Sequence, residues 1–153
     1  MMNYEKRKIG MLRKILDALS GGQSKLSKFA GRSILVADDG EVERRTAQRI
    51  LEQQGFKVTC AMDGESAFSM IEQGAFDLLL LDCMMPNLSG PELCKRLKMS
   101  ERTKNIPVIF LSGSDTPSNI IDCYDLGAEQ FLAKPVNAKL LIKQIEGIFK
   151  EHV

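Results

Sequence analysis

Asp77-Leu78-Leu79-Leu80-Leu81-Asp82-Cys83-Met84-Met85-Pro86-Asn87-Leu88-Ser89-Gly90 is the stretch whose reading decides the fold. Four consecutive leucines between carboxylates lack the alternation of a half-solvated strand. They read as a short strand buried on both faces, the pattern of a parallel sheet. The strand stops on Asp82, and Pro86, Asn87 and Gly90 mark a loop behind it. Ligands of open α/β sheets bind outside the carboxyl ends of the strands, so Asp82 is delivered to the functional edge. A lone strand-end Asp is ordinarily a turn cap. This one has company: Asp38 and Asp39 end an earlier apolar run, Ser112 ends another, and Lys134 follows a further one.

Working outward, the apolar periods alternate between strand and helix. Ser33 to Ala37 reads as the first strand of the domain, and Glu41 to Gln54 as a helix with Val42, Ile50 and Leu51 inward, closed by Gly55. Phe56 to Ala61 follows as a strand. Asp63 then caps a helix through Gln73 that buries Ala67, Phe68 and Ile71. After the leucine strand, Pro91 opens a helix through about Met99 with Leu93, Cys94 and Leu97 inward. Pro107 to Leu111 is the fourth strand. Thr116 caps a helix beginning at Pro117, with Ile120, Ile121 and Tyr124 as its apolar residues, and Gly127 ends it. Glu129 to Ala133 is the fifth strand, and Ala138 to about Lys150 a last helix turning Leu141, Ile145 and Ile148 towards the sheet. Strands alternating with helices imply right-handed βαβ units and an α/β, doubly wound five-stranded parallel sheet.

The 153 residues suit one domain with a short appendage, read as a basic amphipathic helix and linker over 1–32 and a domain over 33–153. Within the appendage, Ile9, Leu12, Leu16 and Leu19 recur at spacings of three and four from Tyr4 onward, and Gly21-Gly22 stop the pattern. Gln23 to Arg32 reads as a flexible basic linker. The overall charge of +1 conceals an asymmetry. Residues 1–32 hold eight Lys/Arg against two acids, +6, while the remainder holds 13 basic and 18 acidic side chains, −5. Such an arm suits packing on its own domain, a weak homodimer, a partner or a membrane surface. No apolar run approaches the roughly 20 residues that cross a bilayer, and Arg13, Lys14 and Asp17 interrupt any signal-peptide core. Cys60, Cys83, Cys94 and Cys123 form no CxxC pair, which disfavours a zinc site and fits reduced thiols in a cytoplasmic protein.

Several carboxylates at one sheet edge repel unless a cation offsets them. Oxygen ligands select a hard ion, and a shallow site with few protein ligands suits Mg²⁺, which keeps several of its waters. A neighbouring lysine and hydroxyl suit phosphoryl oxygens, so the set describes phosphoryl transfer by positioning and charge neutralisation. Competing chemistries lack their motifs. A dinucleotide site wants a Gly-rich turn where Ala37-Asp38-Asp39-Gly40 stands, and no GxxxxGK[ST] loop is present. A haloacid-dehalogenase-like phosphatase wants a second acid two residues after its nucleophile, and here that residue is Met84.

Asp38-Asp39, Asp82 with the Asp-x-x-x-Pro-x-x-x-Gly loop, Ser112-Gly113 and Lys134-Pro135 resemble the receiver domain of two-component response regulators over about residues 33–150. The resemblance implies a flavodoxin-like fold with Asp82 as phosphoacceptor. It implies Mg²⁺ held by Asp38, Asp39, Asp82 and the Met84 backbone carbonyl. Ser112 and Lys134 would meet phosphoryl oxygens, and Ser112 with Phe131 would form the switch. The activity would be Mg²⁺-dependent self-phosphorylation and autodephosphorylation at Asp82 alone, not that of an enzyme with a separate substrate. Implied partners are a histidine kinase or phosphotransfer protein and a downstream protein target, with no direct nucleic-acid binding. Ser112 stands where threonine is commoner, Phe131 lacks a tyrosine hydroxyl, and Met84 flanks the site as a large apolar residue. A stand-alone receiver is the expected organisation. The alternatives are a receiver from a longer regulator with a DNA-binding or enzymatic output domain, and a module that binds without phosphorylation.

Overall fold

The computed structural model describes residues 2–19, 29–113 and 124–151. After helix α1 (Met2–Leu19), the chain alternates β1 (Ser33–Ala37), α2 (Glu41–Gln53), β2 (Lys57–Ala61), α3 (Gly64–Gln73), β3 (Leu78–Asp82), α4 (Gly90–Lys98), β4 (Val108–Ser112), β5 (Gln130–Ala133) and α5 (Ala138–Glu151). The strands form one parallel sheet in the order β2-β1-β3-β4-β5, the flavodoxin-like doubly wound arrangement. The helix read from Thr116 lies mostly outside the described residues; its end at Tyr124–Asp125 is followed by Gly127 at φ 90°.

Strand alternation divides the core into two layers. Ile34, Val36, Leu78, Leu80, Ile109 and Leu111 join Ala47 and Leu51 of α2 and Leu141, Ile145, Ile148 and Phe149 of α5. Leu35, Leu79, Leu81 and Phe110 face Ala67 and Ile71 of α3 and Leu93 and Leu97 of α4. Each of the four leucines of β3 is fully buried, so the run covers both faces of the sheet's middle strand. At about 1.5–3 kcal/mol per buried large aliphatic side chain, this strand is a main source of stability.

The helix ends follow local chemistry. Asp63 accepts a hydrogen bond from Ser66 N–H at the start of α3. Ser89 and Glu92 form a reciprocal capping box at the start of α4, satisfying two orphan N–H groups. Gly55, at φ 91°, adopts the left-handed conformation that ends α2.

Two expectations are corrected. Val42 is 75% exposed rather than inward, and Ala47 fills the inner position of α2 with Leu51. Val42 lies in the first turn of α2 and joins neither core layer. Phe29, in the stretch read as flexible linker, is buried against Phe149 at 5.4 Å between ring centroids, and the Arg32 guanidinium sits 4.6 Å from the Phe149 ring. The packed unit therefore reaches back at least to residue 29. Strand boundaries shift by one residue: β4 includes Ser112, and β5 starts at Gln130.

Candidate functional site

The strand order reverses direction between β1 and β3: from β1 the chain winds outward to β2, then returns to place β3 on the other side. The loops leaving β1 and β3 diverge there, opening the crevice in which such folds bind ligands. Asp38 and Asp39 follow β1, and Asp82 ends β3. Their carboxylate oxygens lie within 4.8 Å of one another. Asp38 and Asp82 are buried while Asp39 is exposed at the rim.

Hydrogen bonds hold these side chains in place. Asp38 Oδ1 accepts from Gly40 N–H at 2.9 Å, and Asp82 Oδ1 accepts from Met84 N–H at 3.3 Å. Their other oxygens turn to one cation: Lys134 Nζ lies 2.8 Å from Asp38 Oδ2 and 3.2 Å from Asp82 Oδ2. Asp38 Oδ2 is buried, and among the described residues the Lys134 ammonium is its one polar neighbour. Burial and the Asp38 charge push the Asp82 carboxyl up from 3.8 to about 6, against the pull of Lys134. Burial disfavours the charged Lys134, but contact with Asp38 and the charge of Asp82 outweigh it and raise its pKa.

Backbone register delivers the remaining residues. Leu111 stands opposite Asp82 and Ala133 opposite Ser112, so Ser112 lies one step further along the edge than Asp82's partner. Lys134 N–H donates to the Ser112 carbonyl at 2.8 Å, tying the lysine to the serine through the main chain. Ser112 is buried at 2% exposure. Phe131 pairs with Phe110 in the sheet, is half-buried and packs on the α3–α4 layer, apart from the carboxylates. The Met84 side chain is 74% exposed at the mouth.

The structure thus brings Asp38, Asp39, Asp82 and Lys134 together and sets Ser112 beside them. Sequence reading missed two supports. Arg44 Nη1 donates to the Asp38 carbonyl at 3.1 Å, clamping the β1 loop from α2; an arginine on a helix carries no signal that it reaches back to a loop. Gly90 sits so close to the β3 end that a Cβ there would lie 2.3 Å from the Asp82 carbonyl oxygen. The glycine was legible as a loop mark, but the need for close approach was not.

The donor set fits a hard cation. Three carboxylates converge, one ammonium reaches only two of them, and every side-chain ligand is oxygen. Buried like charges, backbone clamps and a cation at a switch point suit a phosphoryl group more than an apolar ligand.

Comparison with known proteins identifies the family. The family model for the response regulator receiver domain matches residues 34–146, and the chain belongs to that family, the receivers of two-component signalling. The chemotaxis protein CheY of Pseudomonas aeruginosa is 34% identical over 118 residues, covering 76% of this chain and 95% of the relative. The response regulator PleD of Caulobacter vibrioides is 34% identical over 115 residues, 75% of this chain but 25% of that protein. The receiver domain of the Francisella response regulator 1452 superposes with a TM-score of 0.75 at 32% identity, covering 80% of this chain and 100% of that one. The chain therefore spans most of one relative and about a quarter of the other.

Proposed function

We propose that Asp82 is the phosphoacceptor of a signalling switch fed by a histidine kinase or phosphotransfer protein. The observation that carries this is the Lys134 ammonium shared between Asp38 Oδ2 and Asp82 Oδ2 while Met84 N–H holds Asp82 Oδ1. A carboxylate fixed in this way presents an oriented lone pair at the sheet edge. One of its oxygens forms the new O–P bond, while the P–N bond of a phosphohistidine donor, or the P–O bond of an acyl phosphate, breaks and its electron pair leaves with the donor. Lys134 then exchanges its contact with the Asp82 carboxylate for a phosphoryl oxygen, as a charge-assisted pair. The Ser112 hydroxyl meets another.

Asp38, Asp39, Asp82 and the Met84 backbone carbonyl would hold Mg²⁺, which supplies neutralisation of the charge gathered on the phosphoryl oxygens. Ser112 moving towards the phosphoryl group opens room for the half-buried Phe131, whose rotation alters the surface a target protein reads. Phosphorylation shifts that equilibrium only by its differential affinity for the two arrangements. This chemistry modifies the protein itself and needs no separate substrate site.

The chemotaxis relative is matched over 95% of its length, so a receiver with little else attached is one organisation found among relatives, and it is the one preferred here, with a separate protein as target. PleD is matched over 25% of its length, so a receiver within a longer polypeptide also occurs among relatives, and that is the arrangement of the alternative. The test is to incubate the chain with acetyl phosphate and Mg²⁺ and weigh the intact protein. One added phosphoryl group, lost when a chelator replaces Mg²⁺, is the expected result. No mass gain contradicts the reading and leaves a module that binds without phosphorylation, whereas a gain indifferent to the chelator contradicts the part assigned to Mg²⁺.

A further inference from the structure

The geometry points to a second surface, unrelated to the chemistry at Asp82: we propose that α1 is a reversible anchor for an anionic lipid surface. Every α1 side chain from Glu5 to Ile15 whose burial is described is exposed, the apolar ones included: Ile9 at 60%, Met11 at 63%, Leu12 at 49% and Ile15 at 46%. A helix packed on its own domain would hide that row.

Angles decide what covers it. At about 100° per residue, Ile9, Leu12, Ile15 and Met11 spread over an arc of about 160°, and Lys6, Lys14 and Arg7 occupy the opposite arc. A two-stranded coiled coil uses a narrow seam. If Ile9 and Leu12 formed that seam, Met11 and Ile15 would stay in water, and Glu5 would fall within it. A broad apolar face with lysine and arginine opposite is instead the pattern of a helix lying in a membrane interface. Lys8 lies inside the apolar arc, where its long stem can run along the surface and carry the ammonium to the headgroups.

Charge selects the lipid. Residues 2–19 carry five basic and two acidic side chains, and Lys25, Lys28 and Arg32 follow without an intervening acid. Each basic residue near an anionic surface adds to the attraction, which falls off within a Debye length. The rest of the protein, at −5, is repelled by the same surface, so attachment rests on the arm. Gly10 sits mid-helix with nothing for a Cβ to meet within 4 Å, so packing does not require it there. An interior glycine weakens the helix, and α1, at 18 residues, is only a little longer than the length at which isolated helices are marginal in water. Binding is therefore coupled to helix formation, which keeps it reversible.

The test uses the full chain with phosphatidylglycerol/phosphatidylcholine vesicles and with pure phosphatidylcholine vesicles. The chain is expected to co-sediment with the anionic vesicles and not with the neutral ones. Its helical circular dichroism should rise on binding, and retention should fall more than tenfold between about 0.1 M and 0.5 M salt as charges are screened. Leu12→Glu with Ile15→Glu, and separately Lys6→Glu with Lys14→Glu, should each abolish co-sedimentation while leaving the thermal unfolding of the domain unchanged. All four positions are exposed, so folding does not confound the result. Failure to bind anionic vesicles overturns the proposal, as does binding that either pair of substitutions leaves intact. A dimer by light scattering that Leu12→Glu dissociates, without vesicle binding, assigns the face to a second copy instead.

Discussion

At Asp82, burial and the neighbouring Asp38 charge raise the carboxyl to about 6, so the folded protein holds a proton there more tightly than the unfolded chain. The sign follows directly. Between about pH 4 and pH 6 the unfolded state has released that proton and the folded state has not, so stability falls as pH rises through this window. The ionised site costs at most about 3 kcal/mol above it, from roughly two pKa units at 1.4 kcal/mol each. Metal-free Asp82→Asn should therefore melt higher than wild type at pH 7.5, with the gap shrinking towards pH 4. Thermal unfolding in chelator across that range checks it; a gap independent of pH would show that the carboxylate repulsion is misjudged. Identity at this scale was legible: Asp38, Asp39, Asp82 and Lys134 stand at strand ends, and strand ends converge by topology. The sharing of one ammonium between two carboxylates was not, because spacing along the chain says nothing about which oxygen a lysine chooses.

Among elements, the junction of β3 and α4 carries the most constraint. Asp82 ends the strand, Asn87 adopts a positive φ of 70°, the Ser89–Glu92 box starts the helix, and Gly90 passes against the Asp82 carbonyl. Gly90→Ala forces a methyl into backbone, and overpacking of this kind costs about 1–3 kcal/mol. Chemical denaturation should show that loss, and phosphorylation by acetyl phosphate should slow because the displaced backbone carries Asp82, the proposed phosphoacceptor. Wild-type stability and rate would remove close approach as the reason for the glycine. The strand–helix alternation was readable because buried parallel strands appear as continuous apolar runs, Leu78 to Leu81 most clearly. Val42 misled because helical periodicity gives a face but not which of its positions join the core.

For the molecule as a whole, the two-layer core and the acidic edge leave the amino-terminal segment to be explained in two parts. Phe29 and Arg32 belong to the packed unit through Phe149, while α1 stands with its apolar row in the open. Composition concealed that division: Phe29 sits among serine, lysine and glycine, and one aromatic in a polar stretch gives no period from which burial can be read. Phe29→Ala should destabilise the domain by about 3 kcal/mol, the usual cost of emptying a buried phenylalanine site. A change below about 0.5 kcal/mol in denaturant unfolding would place Phe29 outside the core. The proposed switch depends on one covalent event, whose position can be read directly. Treating the phosphorylated protein with borohydride reduces an aspartyl phosphate to homoserine, and peptide mass spectrometry then reports where. Homoserine at position 82 in wild type, and none in Asp82→Asn, is the predicted outcome. Homoserine at Asp38 or Asp39, or undiminished labelling of the Asn variant, would contradict it.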